Sequence, residues 1–506
     1  MQLEDFLKAA DYFSLGHLPT EGFHPATESL STLARSDPAM AIEIVRQVDL
    51  RVFEEVRSTL PLIRILASEI ETVLQSGSRV FLSGCGATGR LALTLESVFR
   101  RLHAGTRYEH SVQALMAGGD FALVKSVENF EDFPAYGVRH LADLGFKEGD
   151  LLIAISEGGE TPYVLGTLEG ALAASKRNPW FVYCNPRDLL CRTVERSRVL
   201  IENPRVSSLC IPVGNMALSG STRLQAATAQ MLAVGMALTR NFFLADVFLD
   251  EYPKLDLAEF LIPVIEWESG AYLNGSVVLY QTSTYPIAVL TDTTERSPTF
   301  SLTPFEKSND TSGNHSLCYL SIPDAHTPRE SWRKILARDP IGLEWPELPT
   351  PLGRDSILEF DFGREAIHRR EERVHPKNQE VVRLDAHHRS GELEFQSAAF
   401  HLRLQSALIL DPVGEQILVK LLLNTLSLLV MGRLDRYEGN IMTWVRASNG
   451  KLIDRTLRYL EQLISRRGLP PVPRAELARM VFEAQPKLKP DEPLILAVLS
   501  ALEKRG

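Results

Sequence analysis

Five short apolar runs punctuate residues 79–212: Val80–Leu82, Val112–Met116, Leu151–Ile155, Trp180–Tyr183 and Leu209–Pro212. Each is separated from the next by a segment that is helical in pattern or long enough to hold a crossover. A strand that is apolar along its whole length has no face to give to water and must be covered on both sides. Strands of this kind alternating with helices predict a parallel, doubly wound α/β sheet. Ligands in such folds settle beyond the carboxyl ends of the strands, where strand order reverses. The loops that start at Gly84, Gly118 and Ser156 lie at such ends.

A second region of alternation runs from about Val277 to Ile409, with expected strands at Val277–Tyr280, Ile287–Leu290, Leu317–Ser321, Ile357–Phe362 and Leu393–Phe395. The loop after its first strand, Gln281 to Pro286, has no glycine, so a phosphate cradle is not expected there. The flanks are helical. Ser36-Asp37-Pro38 caps a helix over Ala39–Val56, and Leu60–Leu74 continues the pattern. Beyond residue 413, Ile417–Met431 is apolar but short for a membrane span, and helices fit Lys451–Ile464, Arg474–Ala484 and Glu492–Leu502. A chain of 506 residues exceeds one ordinary core. The expected organisation is an α/β protein of two doubly wound, flavodoxin-like three-layer lobes, with an N-terminal helical segment and a C-terminal helical lid. Its units are 1–250, 251–412 and 413–506, and the proline-rich stretch Pro340–Pro351 reads as a surface excursion or linker. Net charge of −10 argues against a nucleic-acid or anionic-membrane surface. The acidic start, Met1 to Asp5, is not a signal peptide, and five scattered cysteines fit a reducing cytoplasm.

The chemistry-bearing motifs sit at the strand ends. Gly84-Cys85-Gly86-Ala87-Thr88-Gly89-Arg90 joins a strand to a helix, which offers backbone N–H groups and a helix dipole to an anion. Its spacing is neither a dinucleotide fingerprint nor a Walker loop. Ser219-Gly220-Ser221-Thr222 gathers three hydroxyls and a glycine at a loop–helix junction, which suits a phosphate monoester or a simple helix cap. Twelve histidines show no metal-ligand spacing, and His387-His388 reads as surface. Cys85 stands near a helix N-terminus, a place that can lower a thiol pKa.

Taken together these loops resemble the sugar isomerase (SIS) family, in the branch of N-acetylmuramic acid 6-phosphate etherase and the glucokinase regulatory protein. The resemblance is carried by Thr20–Leu30, Gly84–Arg90, Ala117-Gly118-Gly119-Asp120 with Glu128–Asp132, Ser156–Tyr163, Ser219–Leu224, and Leu423-Asn424-Thr425 with Gly439–Met442 and Asn449–Leu452. Residues 225–422 separate the serine motif from Leu423-Asn424-Thr425, whereas the two follow closely in the short etherases. That layout is similar to the regulatory protein, with two lobes in one chain as a built-in pseudo-dimer.

The resemblance implies a phosphosugar site without cofactor or metal. Its ligand-binding residues would be Gly86, Ala87, Thr88, Gly89, Glu131, Ser156, Glu157, Gly158, Ser219, Ser221, Thr222 and Lys451. Its implied partners are a sugar phosphate and a regulated protein such as a sugar kinase, and the chain would be a cytoplasmic monomer or homodimer. In the etherases two carboxylates share the acid and base work. One matches Glu131; the other falls on Val98, which cannot carry a proton, and nearby Glu96 points to another helix face. Regulatory binding is therefore the first expectation, and a lyase or isomerase using Glu131, with Glu96 as substitute acid, is the alternative. Gly158 departs from the etherases but not from the regulatory protein, while Gln225 and Met216 replace a usual lysine and glutamate.

Overall fold

The computed structural model describes residues 2–127, 130–374, 378–447, 449–489 and 492–504. Glu128 and Asn129 of the acidic motif lie outside them. In the first lobe β1 (Val80–Gly84), β2 (Val112–Met116), β3 (Leu151–Ile155), β4 (Trp180–Tyr183) and β5 (Ser207–Cys210) form one sheet in the order β2-β1-β3-β4-β5, with every pair parallel. All five residues of β1 and of β3 are buried, as strands without a polar face must be. Strand order reverses between β1 and β3, so the loops after Gly84 and Ile155 open at the switch point.

The second lobe is also α/β, but its sheet is mixed. β6 (Val277–Gln281) pairs in parallel with β7 (Cys318–Ser321) and with β8 (Gln379–His387). β9 (Glu392–Ser397) and β10 (His401–Gln405) then extend the sheet as antiparallel hairpins. Two of the expected strands are helical. Ile287–Leu290 lies inside the helix Pro286–Phe300, started by Pro286 and by the Thr282 hydroxyl that accepts the Tyr285 N–H. Ile357 and Leu358 belong to the short helix Arg354–Leu358. A four-residue apolar run cannot by itself distinguish a strand from one turn of a buried helix.

Among the described residues one helix, Pro412–Arg433, is long and apolar enough to cross a membrane, and it is largely buried within the protein. It packs on both lobes through the helices Gln225–Thr239 and Pro286–Phe300. A buried ionic seam runs beside it: Arg223 meets Asp292 at 3.1 Å and Lys420 donates to the Arg223 carbonyl. Burial pushes the Lys420 ammonium down to about 8.

The stretch Pro340–Pro351 is not a linker. It docks on the first lobe, where the Ile341 N–H donates to Asp120 at 2.6 Å and the Trp345 indole donates to Asp143 at 2.7 Å. The Trp345 ring stacks on Phe130, which immediately precedes Glu131. Arg338, just before this arm, donates to both Glu96 and Asp120. Two buried carboxylates on one lobe and a buried guanidinium on the other make the docking obligatory, since neither charge can be left alone out of water.

Candidate functional site

The first loop is a tight turn closed by its own hydroxyl. Thr88 Oγ accepts the Cys85 N–H at 2.8 Å and donates to the Cys85 carbonyl at 2.8 Å. Gly84 lies so close to the following helix that a Cβ there would sit 2.3 Å from the Thr88 carbonyl carbon. Gly86 takes φ +55° and leads into the helix Ala87–Leu102, whose first turn holds Ala87, Thr88 and Gly89. Gly89 is a close-packing position: its Cβ would meet Met116 of β2.

Glu131 sits on a short 3-10 turn, Phe130–Asp132, and its Oε2 receives the Cys85 thiol at 3.4 Å. This joins the second-strand loop to the first. Burial, reinforced by the Glu131 charge, holds the Cys85 thiol well above its ordinary pKa. The helix N-terminus does not activate it, because desolvation and a neighbouring carboxylate both disfavour the thiolate.

The third loop begins at Ser156, whose hydroxyl accepts the Gly159 N–H and bonds to Thr161. The Gly158 carbonyl accepts from Asn185, which also bonds both the amide and the hydroxyl of Thr20. Residues 20–24 thus strap several loops together. The Ser219 hydroxyl donates to the Glu21 carbonyl, and Asn440 donates to the His24 carbonyl while accepting the Ser219 N–H at its own carbonyl.

The helix Gly450–Arg466 closes the site from the C-terminal side. Lys451, Arg455 and Arg458 lie three or four residues apart and share a face. Lys451 pairs with Glu160 at 2.8 Å; Arg455 and Arg458 both pair with Glu21, at 2.6 and 2.8 Å. Arg196 is the second cation on Glu160. The paired carboxyls are held low against their burial: Glu21 at about 2, with Glu160 lowered as well. Lys451 is held well above its ordinary pKa by Glu160, Glu131 and Glu21, although burial opposes it.

The site therefore brings together the first loop, Glu131, the Ser156 loop and Lys451. The Ser219 loop is tied to it through Glu21 and through Tyr459, which donates to the Ser219 carbonyl at 2.5 Å. The hydroxyls of Thr88, Ser156 and Ser219 all hold the loops in shape. The Ser221 hydroxyl and Glu157 Oε1 are buried and have no hydrogen-bond partner. Thr222, next to Ser221 in sequence, is half-buried. Gly220 and Ser221 open on a cleft of ≈ 470 Å³ shared with Ser126, Ser297, Thr299 and Arg455.

Val98 is a core residue. Glu96 is fully buried and paired with both Arg100 and Arg338, so it is locked in place and unsuited to replace a mobile proton-carrying acid. Gln225 is structural: it accepts the Ala217 N–H and donates to the Asn215 carbonyl. Met216 is fully buried and bridges Phe23. On the second lobe, ligand atoms of His387, Glu392 and Glu394 lie within 4.8 Å of one another. The site residues that sequence reasoning passed over are Glu21, Glu160, Arg196, Arg455 and Arg458. The i, i+4, i+7 spacing of Lys451, Arg455 and Arg458 was the available signal.

Comparison with known proteins adds three findings. Residues 64–172 match the glucokinase regulatory protein N-terminal SIS domain. An N-acetylmuramic acid 6-phosphate etherase of Aliivibrio fischeri is 31% identical over 227 residues, covering 44% of this chain and 68% of that protein, and one of Salmonella agona is 34% identical over 230 residues, covering 45% and 70%. The structure of tagatose-6-phosphate ketose/aldose isomerase from Escherichia coli aligns with a TM-score of 0.40 at 12% identity, over 79% of this chain and 94% of that one.

Proposed function

This chain belongs to the sugar isomerase family, in the branch of the N-acetylmuramic acid 6-phosphate etherases and the glucokinase regulatory protein, and we propose from that premise that it binds a hexose or amino-sugar phosphate. The ligand would lie between the strand ends of the first lobe and the helix Gly450–Arg466. The first-turn amides of the helix Ala87–Leu102 and the hydroxyls of Ser221 and Thr222 would face the phosphate, while the Ser156 and Ser219 hydroxyls, committed to their own loops, would shape the pocket. Glu131 would take sugar hydroxyls and Lys451 would close over the ligand. The observation that carries the reading is the pair of buried, unpartnered atoms, Ser221 Oγ and Glu157 Oε1, at two of these loops. Buried polar groups without partners are costly, and a polar ligand would satisfy both.

The role we favour is regulatory and cytoplasmic. A ligand held between lobe and helix stabilises one arrangement of the two, and a regulated protein such as a kinase would read that arrangement. The rival reading, an etherase-type lyase or isomerase, is supported by the identity with the etherases. It has Glu131 as base but loses Glu96 as acid. Thermal unfolding against a panel of hexose 6-phosphates and amino-sugar 6-phosphates tests the binding reading. A ligand at a hundred times its Kd adds about 2.7 kcal/mol and raises Tm, whereas no rise with any member overturns it. Turnover of N-acetylmuramic acid 6-phosphate, abolished in Glu131→Gln, would replace the regulatory role with the lyase.

A further inference from the structure

Three buried carboxyls line this site, and they differ in one respect. Glu21 has two arginines and Glu160 has a lysine and an arginine. Glu157, three residues before Glu160 and next to Ser156, is 8% exposed and has no ion pair among the described residues. One of its oxygens is without any hydrogen-bond partner. The groups that act on it come from every wall of the site: Glu131 from the second-strand loop, Lys451 from the closing helix and Glu295 from the second lobe. The thiols of Cys85 and Cys184 feel its charge in turn. Two of the three charged neighbours are anionic. An ionised Glu157 would be a buried charge with no ion pair among the described residues, facing a ligand that is itself a dianion.

We infer that Glu157 is the protonated carboxyl of the site, and that it donates a hydrogen bond to an oxygen of the bound sugar ester, so that ligand capture takes up a proton. The inference rests on the phosphosugar reading above. A carboxylic acid offers one O–H donor, which an ionised carboxylate lacks, and the unpartnered oxygen is where that donor is free. Burial is the main influence on this carboxyl and pushes it up to about 7 against a hydrogen bond from its own backbone amide and the Lys451 charge, with Glu295 and Glu131 adding to the rise. The resting protein at pH 7 to 8 is then partly ionised at Glu157, and the ligand selects the acid form. Binding draws one proton from solvent onto the Glu157 oxygen; no bond of the sugar breaks. Protonation adds a donor and removes a negative charge from the path of the phosphate. It makes Glu157 a selector for anionic sugar esters over neutral sugars.

The test is titration calorimetry of the whole chain with the tightest-binding member of the hexose 6-phosphate panel. It is run at pH 7.5 in buffers of different ionisation enthalpy, and its affinity is followed from pH 6.5 to 9. The expected result is net uptake of a fraction of a proton, with affinity falling toward tenfold per pH unit above 7. In Glu157→Gln the amide still donates, so binding persists, but the uptake and the alkaline loss disappear. Binding by the wild-type chain without proton uptake overturns the inference and leaves the phosphosugar reading standing, as does equal uptake in the variant. Absence of binding by every sugar phosphate overturns both. If Glu157→Gln does not fold, the wild-type proton count decides alone.

Discussion

Replacing Arg338 by methionine tests whether the two lobes are held together by charge as described above. The guanidinium donates to Glu96 at 2.9 and 3.1 Å and to Asp120 at 2.6 and 3.2 Å, with all three side chains nearly or fully buried. Methionine keeps much of the apolar stem and removes the charge. Glu96 retains Arg100 at 2.9 Å, so the loss falls on Asp120, which keeps the Ile341 N–H. Breaking a buried pair costs about 3–5 kcal/mol, and partial compensation places this case near 3. The assay is urea unfolding followed by tryptophan fluorescence, with Trp345 reporting from the arm itself. Asp120→Asn alone and the double variant complete a cycle. The double variant should cost less than the sum of the singles by about 2 kcal/mol, because no unpaired charge remains. Additivity within roughly 0.5 kcal/mol would refute the argument, since it would mean that the two groups do not interact.

Gly220→Ala should destabilise the serine loop by about 1 kcal/mol or more and weaken sugar phosphate binding, both read by thermal shift. Gly220 has φ +67°, and its Cβ would lie 2.7 Å from the Tyr459 hydroxyl and 2.8 Å from Arg455 Nε. Glu21→Gln should cost about 3 kcal/mol at neutral pH. Glu21 is depressed to about 2, so its contribution is present above the ordinary carboxylate range and lost as pH falls through 2 to 4; acid unfolding of the variant should be correspondingly flatter. Glu157 has the opposite sign. Its raised pKa favours the fold below pH 4.5 and that contribution fades as pH approaches 7, so wild type should lose up to about 3 kcal/mol across this window relative to Glu157→Gln in chemical denaturation. Trp345→Ala should cost about 3 kcal/mol and also lower ligand affinity, read by urea unfolding and calorimetry, because the ring stacks on Phe130 beside Glu131.

The first lobe was legible from residue order. Four of its apolar runs are strands, because a strand buried on both faces writes its burial into consecutive residues; the fifth strand, Ser207–Cys210, starts two residues before the expected Leu209–Pro212, since it begins on two half-buried serines. The helices Arg474–Ala484 and Leu60–Gln75 likewise declared themselves by spacing and by flanking prolines. The second lobe was less legible, since Ile287–Leu290 has the same local composition whether it pairs with a strand or turns into a helix. Most of the site loops were marked by glycines and hydroxyls. The charges that surround them were not, because Glu21, Glu160 and the closing helix are distant in sequence and meet only in the folded chain.

The sequence by itself determined the parallel sheet of the first lobe and the glycine- and hydroxyl-bearing loops at its strand ends, since each follows from short-range pattern; the strand order that sets the switch point came from the fold. Tertiary structure alone decided which carboxyls are paired. Glu96, Glu157 and Glu160 are the same chemical group, yet two are clamped by arginine or lysine from elements far away and one is buried with an unpartnered oxygen and no ion pair among the described residues. Protonation depends on local solvent and on neighbours brought in by folding, and neither is encoded within a few residues of the carboxyl itself.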